Sequence, residues 1–522
     1  MSSNVAYNAV PEVHDLFVAA TEKYEKLKVR LCEPDTLDLG HDEVERIIRN
    51  DGRDVLREML QAHLVLRSFS EVVEPVVGAD EEERTHRRDG TSRELTSVLG
   101  NVTVPRTRYE GRSLSSLQPV DSDLQLPPEQ YSLEVRREAV KSATQGSFDK
   151  TVQTLAELTG VTIPKRQVEE LIRRAATDFT AFYEETMLAV PAVELSPLMV
   201  LTFDAKGIVM RREALREATR RAAEQAQPKL KSRLSKGEKK NRKRMAMVAS
   251  VYNVAPYVRT PDDVVAMLWR DRDAPSTRDR PRPEYKRVWS SVVRDPQSVI
   301  EEAFAEADSR DPGRTKHWIV VVDGDRHQLR RIRRSARRYG VKITLIVDVI
   351  HVLEYLWKAG HVFHRDGTPE AEQWVRERLE RVLRGEAGQV AGGIRRSATK
   401  RGLSTKARKP VDTCARYLKR YKHYLRYDKA LRQGCPIGSG VIEGACRHLI
   451  RDRMELTGCR WSLQGAEAIL CLRSLISSGD FSEYWAFHRE QELRRNHTMH
   501  YADGHLPQLA KPRPGSRLRV VK

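Results

Sequence analysis

The chain has 522 residues, with 92 Lys and Arg against 73 Asp and Glu, a formal net charge of +19. At roughly 150 residues per domain that length supports three to four domains, and 32% charged with 39% hydrophobic residues excludes a disordered chain. Six cysteines without a C-x-x-C pair exclude a disulfide scaffold, and no apolar run or leader-like start marks a membrane span or an export signal. The expectation is an intracellular protein whose partner is a polyanion.

Residues 1–80 read as helical. Val44, Ile47, Ile48, Val55, Leu56, Met59, Leu60 and Leu64 recur at helical spacing, and Asp42 is the candidate cap. The period then changes. Residues 95–98, a Gly100–Asn101 turn, and Val102 and Val104 predict a β-hairpin whose second arm ends in Arg106 and Arg108. Residues 147–176 predict two helices broken at Thr159–Gly160, with Pro164 opening the second and Val168, Leu171, Ile172 and Ala175 on its inner face. Lys165, Arg166 and Gln167 stand on its polar face. That pattern fits a DNA-reading helix-turn-helix and a plain helical hairpin equally well.

From residue 198 the pattern is α/β. Apolar strands are predicted at 198–203, 245–254, 317–322 and 341–347, three of them ending in Asp204, Asp323 and Asp348. Residues 229–244 form a basic insert with nine Lys or Arg in sixteen positions. After Asp323, seven of the thirteen residues 326–338 are Arg, including Arg330 and Arg334, with Leu329, Ile332 and Ala336 as the inner stripe. Residues 369–430 read as basic helices around a Gly-rich break at 385–393. The loop 434–440 (GCPIGSG) leads into a helix bearing Glu443, a further helix covers 462–477, and the stretch after Asp503 reads as a flexible basic tail.

Asp204, Asp323 and Glu443 are the candidate chemical trio. They lie 119 and 120 residues apart, so only the fold can assemble them. Strand ends in α/β sheets are where sites form, and grouped carboxylates suit two hard divalent cations acting on a phosphodiester. Each also has a local structural use: Asp323–Gly324 as a turn, Asp348 as an N-cap, Glu443 as part of a capping box. His351 shares a helix face with Asp348. Arg460–Trp461 offers a ring for base stacking, although composition alone favours a half-buried core residue.

Several stretches in one consistent order resemble bacterial insertion-sequence transposases of the ISKra type: TSVLGNVTVPRTRYEG at 96–111, LPPEQYSLEVRREA at 126–139, TFDAKGI at 202–208, VVVDGDRHQL at 320–329, DVIHVLEYLWKAG at 348–360 and GSGVIEGACRHLIRDRM at 438–454. The resemblance covers roughly residues 40–480. It implies the DDE group with a ribonuclease-H-like α/β core, a mixed sheet with helices and a helical insertion, preceded by helical and helix-turn-helix DNA-binding regions. It puts the acids at Asp204, Asp323 (with Asp325 as rival in the same turn) and Glu443, holding two Mg2+ ions for which Mn2+ substitutes. Asp348 and His351 match a supporting D-x-x-H signature. Arg447 and Arg451 match a basic position beyond the Glu, although the usual spacing lands on Ile450.

The implied layout is an N-terminal helical region (1–80), a hairpin plus helix-turn-helix (81–180), a first catalytic part (181–365), a helical insertion (366–432), a second catalytic part (433–480), and a C-terminal helix with basic tail (481–522). The implied activity is divalent-metal-dependent DNA strand cleavage and strand transfer at terminal inverted repeats. Lys165, Arg166, Gln167, Arg330, Arg334, Arg447, Arg451 and Trp461 are then DNA contacts, the protein works as a homodimer or higher oligomer on DNA, and its place is the bacterial cytoplasm, at the nucleoid, with no membrane partner. The rival from another class is a catalytically inactive transposase-derived regulator that binds DNA. A junction-resolving nuclease of the same fold fits less well, because of the helix-turn-helix and the long insertion.

Overall fold

The computed structural model describes residues 10–188, 196–225, 238, 241–269, 280–456 and 458–515. Most of the basic insert at 229–244, and the last residues of the tail, lie outside them. The chain forms two compact units, residues 1–178 with 482–522 and residues 179–481. The C-terminal segment thus belongs to the N-terminal unit rather than standing apart.

In the first unit, helices Val13–Leu31 and His41–Ser68 precede a short strand β1 (Glu71–Val72). Gly40, not Asp42, is the N-cap of the longer helix; Glu43 accepts from its amide at 3.2 Å. The hairpin is longer than its apolar tip suggested. It comprises β2 (His86–Ser97) and β3 (Gly100–Glu110). Its turn is Val98–Leu99, with Ser97 paired to Gly100, whose φ of +117° suits glycine. The outer half of β2 is charged and exposed, so its sequence carries no strand signature. Arg106 pairs with buried Asp121 and is not a free basic arm. Leu64 of the long helix packs on Leu95, Val102, Val104 and Leu126.

Helices Leu133–Gln145, Phe148–Thr159 and Lys165–Ala175 form a three-helix group. Ser132 and Ser147 cap the first two, and Gly160 ends the second at φ +72°. Val135, Val140, Leu155, Ile163, Val168, Leu171 and Ile172 fill its core. The C-terminal helix Phe481–Asn496 is fastened to this group. Tyr484 donates to the Ala175 carbonyl at 2.6 Å, His488 Nδ1 lies 2.6 Å from Asp178, and buried Arg136 joins Glu492 at 2.8 Å. The tail then returns as β9 (Leu509–Ala510), antiparallel to β1, so this part is ordered strand and not loose tail.

The second unit is built on five strands: β4 (Leu198–Val209), β5 (Lys243–Val254), β6 (Glu284–Ser291), β7 (His317–Val322) and β8 (Ile343–Val347). Their order is β6-β5-β4-β7-β8. The first two pairings are antiparallel and the last two parallel. The fold is a mixed α/β sheet with many helices. β6 and the helix Pro296–Ser309 escape a reading by apolar runs, because β6 buries Arg287 among its apolar residues. The edge of β6 is covered: Val288 and Ser290 amides donate to Ser478 and Ser474 of helix Leu463–Ser478.

The insertion consists of helices Pro369–Leu383, Ala387–Lys400, Thr405–Tyr421 and Tyr427–Arg432. Gly388, Gly392 and Gly393 lie inside the second helix, so the expected Gly-rich break shrinks to the residues around Gly385. Among the described residues no helix is long and apolar enough to cross a membrane.

Candidate functional site

Asp204 does not end its strand. It lies in the middle of β4, whose last seven residues pair with β5 alone after the pairing with β7 has ended at Thr202. The register pairs Thr202 with Val321, so two residues further on, Asp204 and Asp323 come side by side at the carboxyl end of β7. Adjacent strands are about 4.8 Å apart. On the other side Val322 pairs with Val347, which brings Asp323 beside Asp348. Three aspartates thus stand at one level across three parallel strands.

Their surroundings assign them different tasks. Asp348 is fully buried and spent on structure. Its Oδ1 accepts from the Ile350 amide at 2.7 Å, capping helix Val349–Phe363, and its Oδ2 accepts from both the amide (2.8 Å) and the hydroxyl of Ser439. This latch fixes the GCPIGSG loop, and the next helix, Gly440–Ala445, carries Glu443. Ser439 is the N-cap of that helix but makes no side-chain cap, because its hydroxyl is taken by Asp348. Glu443 is therefore not half of a capping box.

Asp325 is also spent: it is exposed and its Oδ1 caps helix Arg326–Arg338 through the Gln328 amide at 2.8 Å. Asp323 is the partly buried member of that turn, and its Oδ1 accepts the Asp325 amide at 2.8 Å. Burial, and then the negative charge of Asp204, push its carboxyl above the ordinary carboxylate range. Burial and then Asp348 push Glu443 up as well, and Asp204 adds to that. His351 acts on both Asp323 and Glu443 in the opposite sense, so it lies within electrostatic reach of each.

Asp204, Asp323 and Glu443 are thus coupled, and among the described residues none of them pairs with Lys or Arg. They are not drawn into a closed cage either. Among the described residues no three His, Cys, Asp or Glu side chains stand close enough to hold one ion by themselves. Cys446 Sγ donates to Asp204 Oδ2 at 3.1 Å, and burial followed by the charge of Asp204 raises its thiol well above the usual range. It is a neutral donor here.

A π-helical turn, Cys446–Arg451, follows Glu443. One π turn takes up about one extra residue. The position two turns beyond Glu443 therefore passes from Ile450, which is buried, to Arg451, which is exposed. Arg447 is exposed and 3.6 Å from Asp452. Arg330 and Arg334 are exposed on the helix that starts at the acidic turn, without an ion-pair partner among the described residues.

In the first unit Arg166 is exposed, Gln167 is half-buried, and Lys165 is 2.9 Å from Asp149. Trp461 is a correction. It is 4% exposed, donates from Nε1 to the Met454 carbonyl at 3.1 Å, has the Arg453 guanidinium 4.7 Å from its ring, and is bridged by backbone to β4. It is a core residue and offers no face for a base.

The sequence reading missed a set of tyrosines from the insertion. Tyr417 donates to the Asp323 carbonyl at 3.0 Å, Tyr421 to the Gly324 carbonyl at 2.5 Å, and Tyr427 to the Val347 carbonyl at 2.5 Å. The signal was present as tyrosines at 417, 421, 424 and 427, a helical spacing with no other purpose in a basic segment. Compared with protein-family models and with curated proteins, the chain matches none.

Proposed function

We propose that the chain is a DNA transposase of the DDE group, cutting and joining DNA at the ends of an insertion sequence. The observation that carries this reading is the placement of Asp204 and Asp323 at neighbouring positions of adjacent parallel strands, with Asp204 acting on both Asp323 and Glu443 and no ion pair to Lys or Arg among the described residues. Asp204 and Asp323 are half-buried and Glu443 is exposed, and like charges grouped without a countercharge repel until a cation arrives. The sheet supports a ribonuclease-H-like core: a long central strand β4, with β5 alone running against it and β6, β7 and β8 running with it.

The donor set fits hard divalent cations. All three candidates are carboxylates, and Mg2+ typically takes one or two of these and fills its shell with water and phosphate oxygens, so a closed protein cage is not required. Bound there, such cations would supply activation of the attacking hydroxyl and stabilisation of the leaving oxygen. The chain's own residues do the rest. Asp348 and Ser439 hold the Glu443 helix against the sheet, and Cys446 orients Asp204 through Oδ2. Arg330, Arg334, Arg447 and Arg451 are placed to meet phosphates near the acids, and the helix bearing Arg166 and Gln167 would read the ends.

The test is cleavage of a labelled duplex carrying the inverted repeat of the element that encodes this chain, with Mg2+, with Mn2+ and with chelator. Asp204→Asn, Asp323→Asn and Glu443→Gln are expected to lower metal-dependent nicking at least about 1,000-fold, the several kcal/mol that metal-ion catalysis supplies, with end binding retained. End binding without nicking in either metal would instead identify an inactive regulator.

A further inference from the structure

After Val322 the chain leaves the sheet, and helix Arg326–Arg338 begins only at its cap, Asp325. The carbonyls of Asp323 and Gly324 fall in the gap. Neither ladder nor helix supplies their partners, and buried carbonyls need one. Two tyrosine hydroxyls fill the gap, both from helix Thr405–Tyr421 of the insertion: Tyr417 on Asp323 at 3.0 Å and Tyr421 on Gly324 at 2.5 Å. The two rings meet edge to face at 4.8 Å, and Tyr417 is stacked on Tyr355 of the neighbouring helix at 4.1 Å, so neither hydroxyl is free to wander. Gly324 has φ +93°, and a Cβ there would lie 3.4 Å from the Tyr421 ring and 3.5 Å from the Tyr417 hydroxyl. The turn is shaped to the tyrosines.

We propose that Tyr417 and Tyr421 are positioning residues for Asp323. By fixing two successive peptide planes they direct the Asp325 amide onto Asp323 Oδ1, at 2.8 Å, and so leave the rest of that carboxylate facing Asp204. The helical insertion is then a clamp on one acid of the site as well as a basic surface. The consequence for a cation rests on the transposase reading; the clamp on the turn does not.

The test uses the full chain and four variants: Tyr417→Phe, the double variant Tyr417→Phe/Tyr421→Phe, Asp323→Asn, and Tyr484→Phe. The last removes a comparable buried hydroxyl–carbonyl bond in the other unit, 2.6 Å to Ala175. Amide hydrogen exchange over residues 320–329 and calorimetric titration with Mn2+ alone are the readouts. In the double variant the Asp325 amide is expected to exchange about 10-fold faster, and Mn2+ affinity to fall about 10-fold, as for other residues that orient a metal ligand. Tyr484→Phe should move neither. Unchanged exchange and unchanged Mn2+ affinity in the double variant would overturn the proposal. If the double variant does not fold, Tyr417→Phe carries the same comparison. Should the unsubstituted chain bind Mn2+ no better than Asp323→Asn, the transposase reading fails, and the exchange result alone decides the clamp.

Discussion

The sheet of the second unit buries acids at two places and treats them in opposite ways. Along β6, Arg287 is 3% exposed and lies between the rings of Tyr183 and Trp289, with Glu302 at 2.8 Å and Glu306 in contact; Arg310 closes on Glu306 from its own helix. Burial alone would push the Glu306 carboxyl up, but Arg287 and Arg310 hold it below the usual range. At the end of β7, Asp323 is half-buried, among the described residues no arginine answers it, and its carboxyl is held up by that partial burial and by Asp204. Acids matched by arginine from within the chain are scaffold. Acids left unmatched are, in the proposed function, the place a cation would take.

The contrast is broken most severely at the matched place. Arg287→Ala takes from Glu302 and Glu306 the buried arginine they share, leaving Arg294 and Arg310 alone on them, and should cost up to about 3–5 kcal/mol of stability, read by urea unfolding. Asp323→Asn should act in the opposite direction and less strongly, raising the unfolding temperature at pH 7.5. The sign follows from linkage. The Asp323 carboxyl is raised in the folded state, so its penalty is absent below the ordinary carboxylate range and sets in as pH rises through the raised value. For Glu306, whose value is lowered, the favourable contribution is present above the ordinary range and is lost as pH falls through the lowered value. Acid titrations of Asp323→Asn and Glu306→Gln, compared with the unsubstituted chain, should therefore diverge in opposite senses. The smallest effect lies in the other unit: Arg166→Ala should reduce the salt slope of DNA binding by about one and leave nicking chemistry untouched.

Much of the sheet was legible because β4, β5, β7 and β8 are apolar runs, and helices Phe148–Thr159 and Lys165–Ala175 because their caps and inner stripe are local signals. β6 was not, since a buried arginine matched by distant glutamates looks like a surface residue in sequence. The return of the C-terminal helix depends on Arg136, Asp178, His488 and Glu492, which are far apart in the chain and carry no local pattern. In the candidate site the acids could be named from their positions. Which aspartate of the 323–325 turn faces Asp204, and that Asp348 is a latch, became decidable only with register and hydrogen bonds. Composition favoured a core place for Trp461, as the structure has it, and only the DNA-binding reading made it a contact. The π turn at Cys446–Arg451 depends on a backbone detail that residue counting assumes away.

The central claim is that the unmatched acids receive a divalent cation, and thermal unfolding with and without Mn2+ tests it most directly. Mn2+ should raise the unfolding temperature of the full chain and of Glu306→Gln, and leave Asp204→Asn and Asp323→Asn where they were. An equal rise in Asp204→Asn, or none in the unsubstituted chain, would contradict the account.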